Sequence, residues 1–173
     1  ASLPAIEHVE VVELEPVIEH LAELCTPINH DVLRHPKVRV VFNDGREVLQ
    51  TSRGQYDLIA SEPSNPYRAG VGNLYTLEFY ESVRSRLAPR GLFMQWLQGY
   101  EIDAATLRTV VLTAQQAFGH VEIWESKPAD LVLVCSLEPL DYNLPRLRER
   151  IREPAMLQAL QFGAGGHVPN AHG

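Results

Sequence analysis

The stretch that decides the fold is residues 56–80, YDLIASEPSNPYRAGVGNLYTLEFY. It opens with a short apolar run, residues 57–61, which predicts a strand buried in a sheet. Two prolines then remove backbone donors that a continuing strand would need, so the strand is predicted to end at Glu62. Beyond a loop that contains two glycines, Thr76 can cap a helix whose apolar residues recur at four-residue spacing.

Strand patterns alternate with helix patterns along the rest of the chain. The strands are predicted at residues 8–14, 37–42, 57–61, 92–97, 121–124 and 131–134. Helix signals separate the first four strands, and Asp103 caps the longest predicted helix, which precedes the fifth. This alternation predicts parallel strands. Too few residues separate the last two strands for a crossover helix, so that pair is predicted to be antiparallel.

Polar side chains follow the central predicted strand at the point where it ends. An open α/β sheet binds its ligands in the crevice beyond the carboxyl ends of its strands. Glu62 and Asn65 stand in that position and are therefore the first candidates for chemistry.

Composition and charge exclude several classes of function. With 173 residues, 45% of them hydrophobic, the chain can bury one sizeable core. A net charge of -7 argues against a nucleic-acid partner, because binding phosphates needs clustered Lys and Arg. Cys25 and Cys135 form no CxxC pair and the histidines show no HExxH spacing, so no metal is predicted. These cysteines fit a reduced, cytoplasmic setting, and no apolar run reaches the ~18 residues that a membrane helix needs.

Six short motifs together resemble the successive signatures of the spermidine synthase family. They are VVELEP at residues 11–16, PKVRV at 36–40, DGRE at 44–47, YDLI at 56–59, LYTLEFY at 74–80 and LAPRGLF at 87–93. Their order along the chain is more specific than any one of them alone. The resemblance implies the α/β, Rossmann-like sheet of S-adenosylmethionine-dependent methyltransferases, mostly parallel with a C-terminal antiparallel hairpin.

The resemblance also assigns a nucleoside site. Glu13 matches the acidic residue that takes both ribose hydroxyls, a task that suits a carboxylate because two acceptor oxygens meet two donors. Asp44 matches the aspartate that accepts from the adenine amino group, and Gly45 lets the backbone approach the ring. Taken by themselves, Glu13 is equally well a solvated strand-end carboxylate, and an Asn-Asp-Gly triplet is more often a simple turn.

Three further residues match the family's amine-acceptor pocket. Glu62 falls at the position of the catalytic aspartate that deprotonates the attacking amine, and a general base must lie within hydrogen-bond reach of that nitrogen. Asn65 falls where a second aspartate holds the far end of the substrate, and Gln95 matches a glutamine that lines the same pocket. Both acidic positions depart from the family pattern, in a manner similar to spermidine-synthase-like domains fused behind membrane-spanning segments in some bacterial proteins.

Three functions stay open at this point. The first is aminopropyl transfer from decarboxylated S-adenosylmethionine to a small-molecule amine, as in polyamine biosynthesis, which makes the parent protein a transferase. The second is methyl transfer from S-adenosylmethionine itself. The third is a non-catalytic nucleoside-binding or structural module of a larger, membrane-fused protein.

The resemblance implies that the chain is an N-terminally truncated piece. The family's first strand and glycine-rich loop would precede Ala1, so residues 1–140 are expected to form a truncated Rossmann domain that is inactive alone. Residues 141–173 are expected to form a helical extension with a flexible tail. Without the first strand, either its neighbours close up or another chain fills the gap, which leaves a homodimer open. The parent is expected in the cytoplasm, with an inner-membrane anchor left open.

Overall fold

The computed structural model describes residues 3–63 and 70–163. Within these ranges the strands are β1 (Val9–Glu13), β2 (Val38–Phe42), β3 (Tyr56–Ser61), β4 (Leu87–Gln98), β5 (His120–Lys127) and β6 (Asp130–Ser136). The helices are α1 (Val17–Leu24), α2 (Thr26–Asn29), α3 (Gly45–Thr51), α4 (Leu77–Arg86), α5 (Ala104–Ala117), α6 (Leu144–Ile151) and α7 (Pro154–Gly163). A 3-10 helix, Val71–Tyr75, precedes α4.

The strands form two sheets, which lie in two compact units. The first unit comprises residues 1–45 and 141–173 and contains the parallel pair β1–β2. The second unit comprises residues 46–140 and contains a four-stranded sheet in the order β3-β4-β6-β5. Strands β3 and β4 are parallel, whereas β6 runs antiparallel to both of its neighbours, β4 and β5. The predicted β/α alternation and the C-terminal antiparallel hairpin are thus confirmed.

The first unit is built around the β1–β2 pair, whose register runs from Val9 opposite Val38 to Glu13 opposite Phe42. The apolar residues of α1 are largely exposed, with Leu21 at 48% and Leu24 at 68% of full exposure. Helices α6 and α7 lie in the part of the chain for which the sequence predicts a helical extension. The predicted tail beyond residue 163 lies outside the described residues, and the predicted boundary at residue 140 stays a prediction.

The second unit has a closely packed aromatic core. Phe79 and Tyr80 of α4 meet Phe93 of β4, with ring centroids 6.1 and 6.0 Å from that of Phe93. Phe118, at the end of α5, stacks on Phe93 at 5.7 Å. Aromatic pairs at such separations add roughly 0.5–1.5 kcal/mol each beyond the apolar area they bury. Helices α4 and α5 are therefore held firmly against β4.

Helices α4 and α5 each begin after a side chain that caps the first turn, at the residues that the sequence predicts. The Thr76 hydroxyl accepts from the Phe79 N–H at 3.3 Å, and the Asp103 carboxylate accepts from the Thr106 N–H at 2.6 Å. Each contact satisfies a donor that the first helical turn leaves without a partner. That hydrogen bonding lowers the pKa of Asp103 below its ordinary value. Both predicted caps are confirmed.

Strand β4 is longer than the sequence predicts. The Pro89-Arg90-Gly91 segment, which has the residues of a turn, lies inside the strand, where the register against β3 shifts between Tyr56 and Leu58. A bulge of this kind accommodates a proline that a regular ladder would exclude. Gly91 is needed there, since a Cβ would lie 2.8 Å from the Tyr56 carbonyl oxygen and 3.0 Å from Ala88 backbone atoms.

Two arginines of α4 tie its neighbouring helices together. The Arg84 guanidinium donates to the carbonyl of Ala117, the last residue of α5, at 3.1 Å. Arg86 donates through Nε to the Leu49 carbonyl in the last turn of α3 at 2.7 Å. Cations are favoured at helix C-termini because they meet carbonyls without partners and the negative end of the helix dipole.

None of the helices within the described ranges is both long enough and apolar enough to cross a membrane.

Substituting Gly91 with alanine is expected to destabilise the second unit, because the added methyl would have to displace backbone atoms of Tyr56 and Ala88. The expected loss is about 1–3 kcal/mol of unfolding free energy, measured by urea denaturation of the intact protein. Gly54→Ala is the matched control, since its Cβ would make only ordinary contact with the Ser52 hydroxyl at 3.7 Å. Equal midpoints for the two variants would contradict the crowding at Gly91.

Candidate functional site

The carboxyl ends of β1 and β2 bring the predicted nucleoside residues to one edge. Glu13 is the last residue of β1 and lies opposite Phe42, the last residue of β2. The N–H of Asn43 continues the ladder by donating to the Glu13 carbonyl at 3.0 Å, so Asp44 stands just beyond the same edge. The Glu13 carboxylate accepts from the Glu15 N–H at 3.0 Å through Oε1, which fixes the direction of the side chain.

The backbone at Gly45 borders open space. Gly45 is the first residue of α3, and a Cβ built on it would meet no protein atom within 4 Å. The turn before it is held by the Asp44 N–H, which donates to the Asn43 side-chain oxygen at 2.8 Å. A flat ring could therefore approach this backbone without displacing a side chain.

The predicted base lies at the end of a strand of the second unit. Glu62 directly follows β3, whose last residue, Ser61, is paired with Gln95 of β4. Its side chain is exposed, whereas the next residue, Pro63, is buried. An exposed carboxylate directly after a paired strand residue can meet a ligand from solvent while the strand stays fixed. Asn65, the other predicted residue of this segment, lies outside the described residues.

Gln95 is fully buried and both ends of its side-chain amide are engaged. Its Nε2 donates to the Leu74 carbonyl at 2.9 Å, and its Oε1 accepts from the Tyr80 hydroxyl at 2.8 Å. The contact with Leu74 joins β4 to the 3-10 helix Val71–Tyr75. Gln95 thus lies beside the strand end that carries Glu62.

Burial keeps the neighbouring hydroxyl and thiol groups protonated. It raises the pKa of Tyr75 to about 12 and the pKa of Cys135 to about 12. Burial also raises the pKa of Tyr80, and the nearby Cys135 and Tyr75 raise it further. None of the three side chains is a base or a nucleophile at neutral pH.

The structure therefore places the predicted residues in two groups, each described within its own unit. Glu13, Asp44 and Gly45 share the edge of the β1–β2 pair, and Glu62 and Gln95 share the edge of the β3–β4 pair. The sequence analysis assigned no role to Tyr80, and the structure shows its hydroxyl donating to Gln95. The signal in the sequence was a tyrosine at a core-facing position of α4, because a buried hydroxyl needs a hydrogen-bond partner.

In residues 3–63 and 70–163, no group of three or more His, Cys, Asp or Glu side chains could hold a metal ion. A metal-independent reaction stays a prediction.

Comparison with known proteins finds one matching family and related sequences. The profile of the family described as the spermine/spermidine synthase domain matches residues 1–125. Polyamine aminopropyltransferase 1 of Streptomyces coelicolor is 36% identical over 92 residues, covering 51% of this chain and 17% of that protein. Spermidine synthase of Dictyostelium discoideum is 24% identical over 119 residues, covering 69% of this chain and 42% of that protein. The chain thus spans less than half the length of these relatives.

Solved structures share the fold. A spermidine synthase in complex with the transition-state analogue AdoDATO superposes with a TM-score of 0.74 at 16% identity, covering 98% of this chain and 61% of that one. Human methyltransferase-like protein 13 in complex with SAH gives 0.67 at 20% identity, covering 89% and 71%. The predicted Rossmann-like methyltransferase fold is confirmed.

The two cysteines are expected to differ sharply in reactivity. Cys25 is exposed, whereas Cys135 is buried and its pKa is raised to about 12, so almost none of Cys135 is thiolate at pH 8. Iodoacetamide at pH 8 should label Cys25 alone in the native protein, and both residues in urea. Mass spectrometry of tryptic peptides reads out the two sites. Rapid native labelling of Cys135 would show that the core of the second unit opens readily.

Proposed function

The chain belongs to the spermine/spermidine synthase domain family, and on this premise we propose that the intact protein transfers an aminopropyl group from decarboxylated S-adenosylmethionine to an amine. Glu13 and Asp44, at one strand edge beside the open space at Gly45, support this function most directly. The curated relatives named above are an aminopropyltransferase and a spermidine synthase, which favours aminopropyl over methyl transfer.

The first unit supplies the donor site in this proposal. Glu13 offers carboxylate oxygens to the two ribose hydroxyls, and its bond from the Glu15 N–H holds the side chain in place. Asp44 accepts from the exocyclic amine of adenine while the ring lies over Gly45. These contacts recognise the adenosine part of the donor.

The second unit supplies the base. Glu62 takes a proton from the acceptor amine, whose nitrogen then attacks the aminopropyl carbon bound to the sulfonium sulfur. The new C–N bond forms as the C–S bond breaks, and the electron pair of the C–S bond stays on sulfur. The sulfonium charge is thereby neutralised and the leaving group is the neutral thioether methylthioadenosine. No metal is required, because the leaving group is already activated.

The acceptor end involves residues of the second unit. We assign Asn65 to the far end of the amine and Gln95 to the inner wall of the acceptor pocket. An amide at position 65 accepts a hydrogen bond but adds no charge, so the acceptor is a small amine that does not require a second carboxylate there. A cytoplasmic location and a homodimer belong to the same proposal, as does the division into a Rossmann domain, residues 1–140, and a C-terminal extension.

Calorimetry on the intact protein is expected to show binding of decarboxylated S-adenosylmethionine and methylthioadenosine in preference to S-adenosylmethionine. Glu13→Gln removes a charged acceptor and should weaken both bound nucleosides by roughly tenfold to a hundredfold. Glu19→Gln is the control, because it removes a carboxylate from exposed α1 in the same unit. A preference for S-adenosylmethionine would favour a methyltransferase, and no binding of any of the three would favour a non-catalytic module.

Gly45→Ala separates ligand contact from folding in the same titrations. Its Cβ would meet no protein atom within 4 Å, so the unfolding midpoint should not fall. Nucleoside affinity should fall, because the methyl group occupies the space given to the ring.

Glu62→Gln is expected to lower kcat by about 10²–10⁴-fold with donor affinity unchanged, because an amide cannot accept the amine proton. Steady-state kinetics with a panel of amines measures the loss. Glu78→Gln is the control, an exposed carboxylate in the first turn of α4. Full turnover in Glu62→Gln would remove Glu62 from the mechanism.

A further inference from the structure

Gln95 contacts the residue before Glu62 and also Leu74, which lies twelve positions after Glu62. The residues from Glu62 to Leu74 are called the Glu62 segment. Its backbone pairs with Ser61, the residue before Glu62, in the parallel register of β3 and β4. Its side chain donates to the carbonyl of Leu74, at the far flank. A single residue of β4 therefore fixes where this segment leaves the sheet and where it returns to α4.

Chemistry dictates the direction of these hydrogen bonds. The Leu74 carbonyl can only accept, so the amide nitrogen of Gln95 must face it. The amide oxygen then faces Tyr80, whose hydroxyl must donate. The reversed amide would set its oxygen against the Leu74 carbonyl, and two acceptors form no hydrogen bond. By donating to the amide oxygen, Tyr80 stabilises the orientation in which Gln95 reaches Leu74.

Tyr80 is itself rigidly held. It is fully buried in α4, with ring centroids 5.9 Å from Phe79, 6.0 Å from Phe93 and 6.2 Å from Phe118. Burial raises its pKa, so the hydroxyl keeps its proton and remains a donor across the working pH range. A hydrogen-bond donor on a packed helix holds its partner more precisely than a donor on a loop does.

We propose that Gln95, oriented by Tyr80, is a positioning residue: it holds Ser61 and Leu74 in place, and thereby sets where Glu62 stands relative to the acceptor amine. This inference rests on the proposed role of Glu62. It assigns to Tyr80 a part in the reaction, although Tyr80 touches no reacting atom. The amide of Gln95 acts on the reaction through the protein and not through a hydrogen bond to the acceptor.

The expected size of the effect follows from the sensitivity of proton transfer to geometry. Misplacing a catalytic group by ~1 Å can cost on the order of a hundredfold in rate. Loosening one flank of the Glu62 segment should displace Glu62 by less than this on average. A roughly tenfold loss of kcat is therefore expected when Tyr80 loses its hydroxyl, with donor affinity unchanged, because the donor residues Glu13 and Asp44 lie in the other unit.

Tyr80→Phe in the intact protein tests the proposal. It removes only the hydroxyl and keeps the ring in the aromatic core. Amide hydrogen exchange should quicken about tenfold at Val71–Tyr75 and not in α5, and kcat should fall roughly tenfold. Tyr56→Phe is the matched control, because it removes a tyrosine hydroxyl from the same unit, one that contacts Ser52 at 3.4 Å.

A double variant separates positioning from folding. Tyr80→Phe combined with Gln95→Met replaces both side chains by apolar groups of similar size, so that neither a hydroxyl nor an amide is left without its partner. The melting temperature should therefore recover in part, because only the Leu74 carbonyl still lacks its donor. The tie to Leu74 is still missing, so kcat should stay low and exchange at Val71–Tyr75 should stay fast. A purely structural role predicts instead that kcat recovers together with stability.

The outcomes are distinguishable. Unchanged exchange at Val71–Tyr75 in Tyr80→Phe, or recovery of kcat in the double variant, overturns the positioning role. If the exchange effect is present but Glu62→Gln retains full turnover, the tie exists and the proposed base is wrong. If Gln95→Met alone raises the KM for the amine with kcat unchanged, Gln95 binds the acceptor directly, which also overturns the proposal.

Discussion

Parallel pairing of strands is the constraint on which the candidate site depends. Two parallel strands of matched register end at the same edge of the sheet, so the residues that follow the two strands lie close together. Glu13 opposite Phe42 places Asp44 at one such edge, and Ser61 opposite Gln95 places Glu62 at another. The acidic residues are separated by many positions in sequence, and the ladders alone determine where they stand.

The two units support these edges in different ways. In the second unit, Phe79, Tyr80, Phe93 and Phe118 form a packed aromatic cluster that holds two helices against β4. In the described part of the first unit, by contrast, the apolar residues of α1 remain largely exposed. Proton transfer depends on geometry at the scale of fractions of an ångström, whereas nucleoside recognition tolerates more adjustment. The residue proposed for proton transfer stands on the more firmly packed unit.

Much of the fold could be predicted because its signals are local. The apolar run before Glu62, the caps at Thr76 and Asp103, and the short β5–β6 connection each express a rule that operates over a few residues. The extension of β4 through Pro89-Arg90-Gly91 could not be predicted, because turn-forming residues there are accommodated by a bulge against β3. The contact between Tyr80 and Gln95 joins two elements, so no spacing in the sequence reports it. Likewise, the open space at Gly45 is a property of the surrounding backbone.

The arginines of α4 have a consequence for behaviour in acid. Many proteins lose stability at low pH because carboxylates that were paired in the folded state become protonated. Arg84 and Arg86 donate to backbone carbonyls of α5 and α3, and a peptide carbonyl does not titrate in this range. A guanidinium also keeps its charge. The attachment of these three helices to one another therefore does not depend on an ionised carboxylate.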